Sequence, residues 1–189
     1  MSREPVTIEV MCEVHRILTA HAIPHAFVGG LALNAWGIPR ATFDIDLCIV
    51  LGPGEQPRLL EALRELGWSA DEVYHRGWRD EMAGIPIIHA HYPTEGALVR
   101  VDLMVADTPF LRSVVERKTA VDIGPAAVPV CRAADLVLFK VLADRQKDRM
   151  DVQNILAIQG VPEREYLELW GRELRISDRL DRAFSTAGL

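Results

Sequence analysis

Cysteine is scarce in this chain, with Cys12, Cys48 and Cys131 its whole complement of thiols. An odd number without metal-ligand spacing argues against a disulfide framework and fits a reducing compartment. No apolar run approaches a membrane span, and the opening MSREPVTIEVMCEVH has no basic segment leading into an apolar one. A cytoplasmic protein with no membrane partner is therefore expected. Positive charge is also short, because 21 Lys and Arg against 27 Asp and Glu leave a formal net charge of −6. That balance removes any general electrostatic footprint for nucleic acid. Local basic groups remain, Arg76 with Arg79 and Arg145 with Lys147 and Arg149, and either could hold an RNA end. Repeats and low-complexity tracts are absent. What is present, 189 residues of which 49% are hydrophobic, is enough for one domain, or a core with a helical appendage, around a substantial core.

The informative stretch is FVGGLALNAWGIPRATFDIDLCIV, which reads as strand, turn, helix, loop, strand. A first strand over 26–28 runs into Gly29 and Gly30, a pair that lets the backbone turn sharply with no side chain in the way of an anion. A short helix over 31–36 then points its unpaired N–H groups and the positive end of its dipole at the turn. The second strand, 43–50, alternates. Phe43, Ile45, Leu47 and Ile49 lie on one face and Asp44, Asp46, Cys48 and Val50 on the other. Two carboxylates thus project side by side, although Asp is depleted in strands and like charges repel. Taken alone, Asp-Ile-Asp is the solvated face of a half-buried strand. Beside a glycine turn, it suggests carboxylates gathered round a hard divalent cation such as Mg²⁺. Cys48 reads as a small buried hydrophobe.

Around this unit the pattern is alternately helical and extended. Ile8, Met11, Val14, Ile17 and Leu18 have helical spacing, with Thr7 or Ser2 as a cap. A loop at Gly52, Pro53 and Gly54 leads to a helix from Pro57 that ends at Gly67. Segment 68–96 is aromatic and basic, with Tyr74, His75, Arg76, Trp78 and Arg79. It contains a strand over 85–92 interrupted at Pro86, and would suit an acceptor-binding surface. His89 and His91 share a strand face, but without a third ligand they read as two half-exposed histidines. The strand over 97–106 turns Val99, Val101, Leu103 and Val105 to one side, leaving Asp102 on the polar face with Arg100 and Met104. Thr108 and Pro109 open a helix to about Arg117, and extended pieces follow around Val121 and Val128. Residues 133–143 form an apolar helix with Lys140 as its exception. Asp144, Lys147 and Asp151 then have the spacing of a solvated turn of helix. Two amphipathic helices close the chain, the first carrying Tyr166, Trp170 and Leu174, the second Leu180 and Phe184 with Ser177 as a cap.

Gly29-Gly30, then Gly37, Arg40, Thr42 and Asp44-Ile45-Asp46, resembles the signature of nucleotidyltransferases in the DNA polymerase beta superfamily. In that group Gly-Gly or Gly-Ser precedes Asp-x-Asp by about a dozen residues. The form here is most similar to the small bacterial branch containing AbiEii-type toxins. Lys140, Arg145, Lys147, Asp148 and Asp151 resemble that branch's downstream motif. Two motifs of one family in the right order, about 100 residues apart, weigh more than either alone.

The resemblance spans roughly residues 27–156 and implies an α/β (α+β) fold: a short mixed sheet flanked by helices, with a nucleotidyltransferase core at 1–130 and a helical part at 131–189. It further implies transfer of a nucleoside monophosphate from an NTP to an acceptor, with two Mg²⁺ ions. Asp44, Asp46 and Asp102 would be the catalytic and metal-binding residues. Gly29, Gly30, Arg40, Thr42, Lys140 and Asp151 would form the nucleotide site. Lys140, facing polyphosphate from an apolar helix, should then be replaceable by Met with little loss of fold. The acceptor is open among RNA, protein and a small molecule, and an antitoxin partner is implied. Rival readings are an aminoglycoside or lincosamide nucleotidyltransferase, a non-catalytic interaction module of the same fold, and a metal-dependent phosphohydrolase.

Overall fold

The computed structural model describes residues 8–189. Thr7 and Ser2, expected as caps of the first helix, lie outside them. The helix itself, α1 (Ile8–Ala20), buries Met11, Val14, Ile17 and Leu18, the apolar stripe that its spacing predicts. It leads into β1 (His25–Phe27), α2 (Gly29–Ala35) and β2 (Asp44–Ile49). The helix α2 starts at the glycine pair itself, two residues before the expected start at Leu31. Ile45, Leu47 and Ile49 are buried as their alternation requires. Phe43 is not: it precedes the strand and stands 39% exposed.

After α3 (Glu55–Glu65), segment 68–96 folds into more structure than its pattern suggests: β3 (Ser69–Ala70), α4 (Glu72–His75), β4 (Asp80–Met82) and β5 (Ile85–Thr94). Pro86 does not interrupt β5, because it is the strand's second residue, beside the short partner β4, where a missing N–H is tolerated. A two-residue turn at Glu95 and Gly96, with Gly96 at φ +81°, joins β5 to β6 (Ala97–Val105). Then come α5 (Pro109–Glu116), β7 (Thr119–Asp122) and β8 (Ala127–Val130). Thr108 caps α5, its Oγ1 accepting from the Leu111 N–H at 3.3 Å.

Among the described residues the strands form one mixed sheet in the order β3-β5-β6-β2-β1-β8-β7, with β4 added beside β5. The pairs β1/β2, β5/β6 and β7/β8 are antiparallel, whereas β2/β6 and β1/β8 are parallel. The parallel ladder β2/β6 lies in the middle of the sheet and carries the aspartates.

Helix α6 (Ala133–Ala143) is apolar almost all round and correspondingly buried. It stops at Asp144, whose φ of +50° is left-handed, and α7 (Gln146–Gln159) folds back against it. The charged stretch is therefore only partly a solvated turn: Arg145, Lys147 and Arg149 are exposed, whereas Asp148 is 0% and Asp151 2% exposed. Of the remaining helices, α8 (Arg164–Glu173) lays Trp170 against Phe110, ring centroids 5.3 Å apart, and α9 (Ser177–Ala187) buries Leu180 and Phe184. Ser177 is the first residue of α9 and makes no cap, a position that Ile176 fills. No helix among the described residues is long and apolar enough to cross a membrane.

Candidate active site

The β2/β6 ladder pairs Asp44 with Arg100 and Asp46 with Asp102. Partners in a parallel ladder point to the same face, so the three aspartates and Arg100 share one surface. Asp46 keeps part of its side open yet is densely surrounded by protein atoms. Its carboxyl is pushed up to about 6, first by that burial and then by the charge of Asp102, with Lys140 working in the opposite direction and Asp44 adding to the rise.

The glycine pair serves this surface in a way its sequence did not announce. A Cβ at Gly29, where φ is +63°, would lie 2.0 Å from Asp46 Oδ2, and one at Gly30 would lie 2.8 Å from the Cβ of Thr42. The space freed by each missing side chain is thus filled by the chain's own Asp46 and Thr42. Thr42 in turn donates from Oγ1 to the Asp44 carbonyl at 3.0 Å, which fixes the entrance of β2.

Asp102 is 8% exposed, and its Oδ1 takes two contacts: Arg100 Nε donates at 2.7 Å and His89 Nδ1 lies at 2.8 Å. His89 is half-buried, as its sequence suggests, but it is coupled to an aspartate. The signal was there to read, since a tight turn at Glu95-Gly96 pairs Thr94 with Ala97 and, counted back along both strands, His89 with Asp102. Arg100 and His89 line a polar cleft of about 290 Å³ together with Tyr74, Asp80 and His91.

The downstream motif reaches the same region. Lys140 Nζ contacts Asp148 Oδ1 at 3.1 Å and Asp151 Oδ2 at 2.8 Å, while Arg145 Nε donates to Asp148 Oδ2 at 2.5 Å. Burial alone would raise the Asp148 carboxyl, but the Arg145 hydrogen bond and the Lys140 charge hold it below the usual carboxylate range. Arg40 closes the network by pairing with Asp151. Its backbone is held on both sides by Asn34, whose Nδ2 donates to the Arg40 carbonyl at 2.9 Å and whose Oδ1 accepts from the Arg40 N–H at 2.6 Å. Arg40 and Lys140, expected to face polyphosphate, are therefore already engaged with buried carboxylates. Asp151 joins the loop before β2 to α6 and α7.

Two of the other basic side chains are likewise engaged. Arg79 donates to Gln56 Oε1 at 2.7 Å and Arg149 to Asp144 Oδ1 at 2.7 Å. A further cleft of about 600 Å³ lies between α6, α7 and α9 with Lys140, Arg149, Arg179 and Arg182 on its walls; none of the three strand aspartates lines it.

Among the described residues no three or more His, Cys, Asp or Glu side chains stand as a ready-made metal cage. The donor set nevertheless fits a hard cation. Asp44 and Asp46 project from one strand beside Asp102, and the carboxyl of Asp46, raised first by burial and then by the charge of Asp102, is one whose ionised form a cation would favour.

The fold resembles that of solved nucleotidyltransferases. An antigenic nucleotidyltransferase-like protein from Paracoccidioides brasiliensis superposes with a TM-score of 0.59 at 18% identity, over 97% of this chain and 94% of that one. ANT(2")-Ia in complex with adenylyl-2"-tobramycin gives 0.56 at 17% identity, over 89% and 98% of the two chains. A solution structure of the same antibiotic-resistance factor gives 0.59 at 16%, over 92% and 95%. At such identities the likeness establishes the α/β fold with its mixed sheet. No curated protein matches the sequence. The family model of the nucleotidyl transferase AbiEii toxin, type IV toxin–antitoxin system, matches residues 15–179, both sequence motifs included. With the paired aspartates and the downstream lysine and aspartates accounted for in one fold, the chain belongs to the AbiEii nucleotidyltransferase toxin family.

Proposed function

We propose that this nucleotidyltransferase moves a nucleoside monophosphate from an NTP to an acceptor with release of pyrophosphate, using Mg²⁺ held by Asp44, Asp46 and Asp102. The observation that carries this reading is the register of β2 on β6, which sets Asp46 against Asp102 with Asp44 two residues along the same face. Two bound Mg²⁺ ions would supply charge neutralisation and in-line positioning at phosphorus. The protein's own residues do the rest. Gly29 admits the Asp46 carboxylate close to the start of α2. Asp102, whose partners His89 and Arg100 line the polar cleft, would accept the acceptor's proton. Lys140, whose charge is felt at Asp46, lies on the side from which the triphosphate would approach, with Arg40 and Asp151 holding that side together.

The family description places such a transferase in a type IV toxin–antitoxin system, so a toxin modifying RNA or protein, with an antitoxin as its counterpart, is the first reading of its role. A second rests on the fold shared with ANT(2")-Ia, named with an adenylylated tobramycin, and would make the acceptor a small antibiotic. The test is to incubate the protein with each labelled NTP and Mg²⁺ in cell extract, and separately with aminoglycosides. Label entering a macromolecule supports the toxin reading and label entering the drug the second. No labelled product with any NTP overturns both.

A further inference from the structure

Segment 68–96 has aromatic and basic residues that the reaction as proposed does not use, yet it is anchored at several points. Gln56 on α3, 4% exposed, donates from Nε2 to the carbonyls of Tyr74 at 2.9 Å and Trp78 at 2.8 Å. Arg79 Nε donates back to Gln56 Oε1 at 2.7 Å. A buried amide with both its donor and acceptor ends satisfied specifies one arrangement of the backbone around it. That arrangement aims Asp80. Its Oδ2 accepts from the Tyr74 hydroxyl at 2.6 Å, its Oδ1 from Trp78 Nε1 at 3.1 Å, and Oδ2 also lies 3.5 Å from His89 Nε2. The Tyr74 ring stands edge-on to the His89 ring, with centroids 6.2 Å apart. The other nitrogen of His89 meets Asp102 Oδ1 at 2.8 Å and Arg100 Nη2 at 2.8 Å.

We infer that His89 is a positioning residue for Asp102, and that segment 68–96 sets the orientation of the third aspartate through the chain Gln56, Tyr74, Asp80, His89. The inference rests on the transfer reading above, because it concerns the carboxylate assigned there to the acceptor side. It holds for either tautomer of the ring. With the proton on Nδ1 the imidazole donates to Asp102 directly. With it on Nε2 the imidazole donates towards Asp80, while Nδ1 accepts from Arg100 Nη2 and so fixes the guanidinium whose Nε donates to Asp102. In both cases the ring, standing on β5 between Asp80 and Asp102, keeps a contact of 2.8 Å with Asp102 Oδ1. A carboxylate that must meet a metal or a proton within a few tenths of an ångström depends on such support.

The experiment compares His89→Ala, His89→Asn and Asp80→Asn in the full chain, measuring transfer rate, KM for the NTP and melting temperature. Asn offers an amide near the position of Nδ1 and tests rescue. The expected result is a kcat about 10 to 100 times lower in His89→Ala, the usual scale for losing a supporting partner. The KM for the NTP should stay within about twofold, because the lost contact is not on the triphosphate side. His89→Asn should recover most of the rate, and Asp80→Asn should fall between. Equal rates in wild type and His89→Ala would overturn the inference while leaving the transfer reading intact. So would a loss in His89→Ala that tracks its melting temperature and is shared by His89→Asn. If wild type itself transfers nothing, it is the transfer reading that fails.

Discussion

Gly29 and Asp46 occupy the same space: a methyl group on the glycine would fall 2.0 Å from the carboxylate oxygen Oδ2, well inside any contact distance. The first turn of α2 therefore presses on β2 at the residue that carries the site's most perturbed carboxyl. Gly29 combines this with a left-handed φ of +63°, so it answers two demands that no other residue type meets together.

Gly29→Ala should accordingly displace Asp46, abolish transfer and cost at least about 2 kcal/mol of stability, the sum of a left-handed alanine and an overpacked contact. Gly54→Ala is the matched control, since Gly54 has φ +74° and a methyl group there would meet nothing within 4 Å. It should cost only the backbone part, about 1 kcal/mol, and leave transfer unchanged. Denaturant midpoints of the two variants, read beside a transfer assay, decide the matter. Similar losses in both would mean that the contact with Asp46 has no consequence.

Asp46 and Asp102 should respond differently to neutralisation when metal is absent. The folded-state value of Asp46, about 6, lies above that of an unfolded chain, so ionising it opposes folding. This penalty is absent below about pH 4 and complete above about pH 6. Asp46→Asn should therefore raise metal-free stability at pH 7.5 by about 1 to 3 kcal/mol, and the gain should vanish at pH 4. Asp102→Asn should instead lower it, because Arg100 and His89 both lose their carboxylate partner. Both variants should lose transfer. Urea unfolding in chelator at the two pH values is the measurement, and a destabilised Asp46→Asn at pH 7.5 would show that its carboxylate holds a favourable bond.

Lys140→Met, expected from the sequence alone to be mild for the fold, should be severe. The ammonium lies between Asp148 and Asp151, which are 0% and 2% exposed, and removing it leaves each with a single cationic partner. Breaking a buried pair of this kind costs about 3 to 5 kcal/mol. Thermal unfolding at neutral pH checks it. An unchanged midpoint with weakened NTP affinity would return Lys140 to a purely ligand-facing role.

Much of this site could be read from residue order. Alternation in DIDLCIV and in ALVRVDLMV is enough to put Asp44, Asp46 and Asp102 on polar faces, because a strand's side chains have a period of two whatever packs against them. The glycine pair, the apolar helix around Lys140 and the terminal amphipathic helices were legible for the same local reason. Which carboxylates meet was not local. The register of β2 on β6 sets Asp46 against Asp102, and it is decided by how two strands more than fifty residues apart share a sheet. The break at Asp144 turns α7 back on α6 and takes Asp148 and Asp151, two members of a charged stretch that spacing alone assigns to solvent, into a buried network with Lys140, closed by the half-buried Arg40. The burial of a charge depends on what lies above it, and periodicity records only which residues share a face. Outside segment 68–96, composition and order thus determined most of the elements and their polar faces. Only the tertiary structure decided which charges would face one another, because that choice is made by contacts between segments distant in sequence.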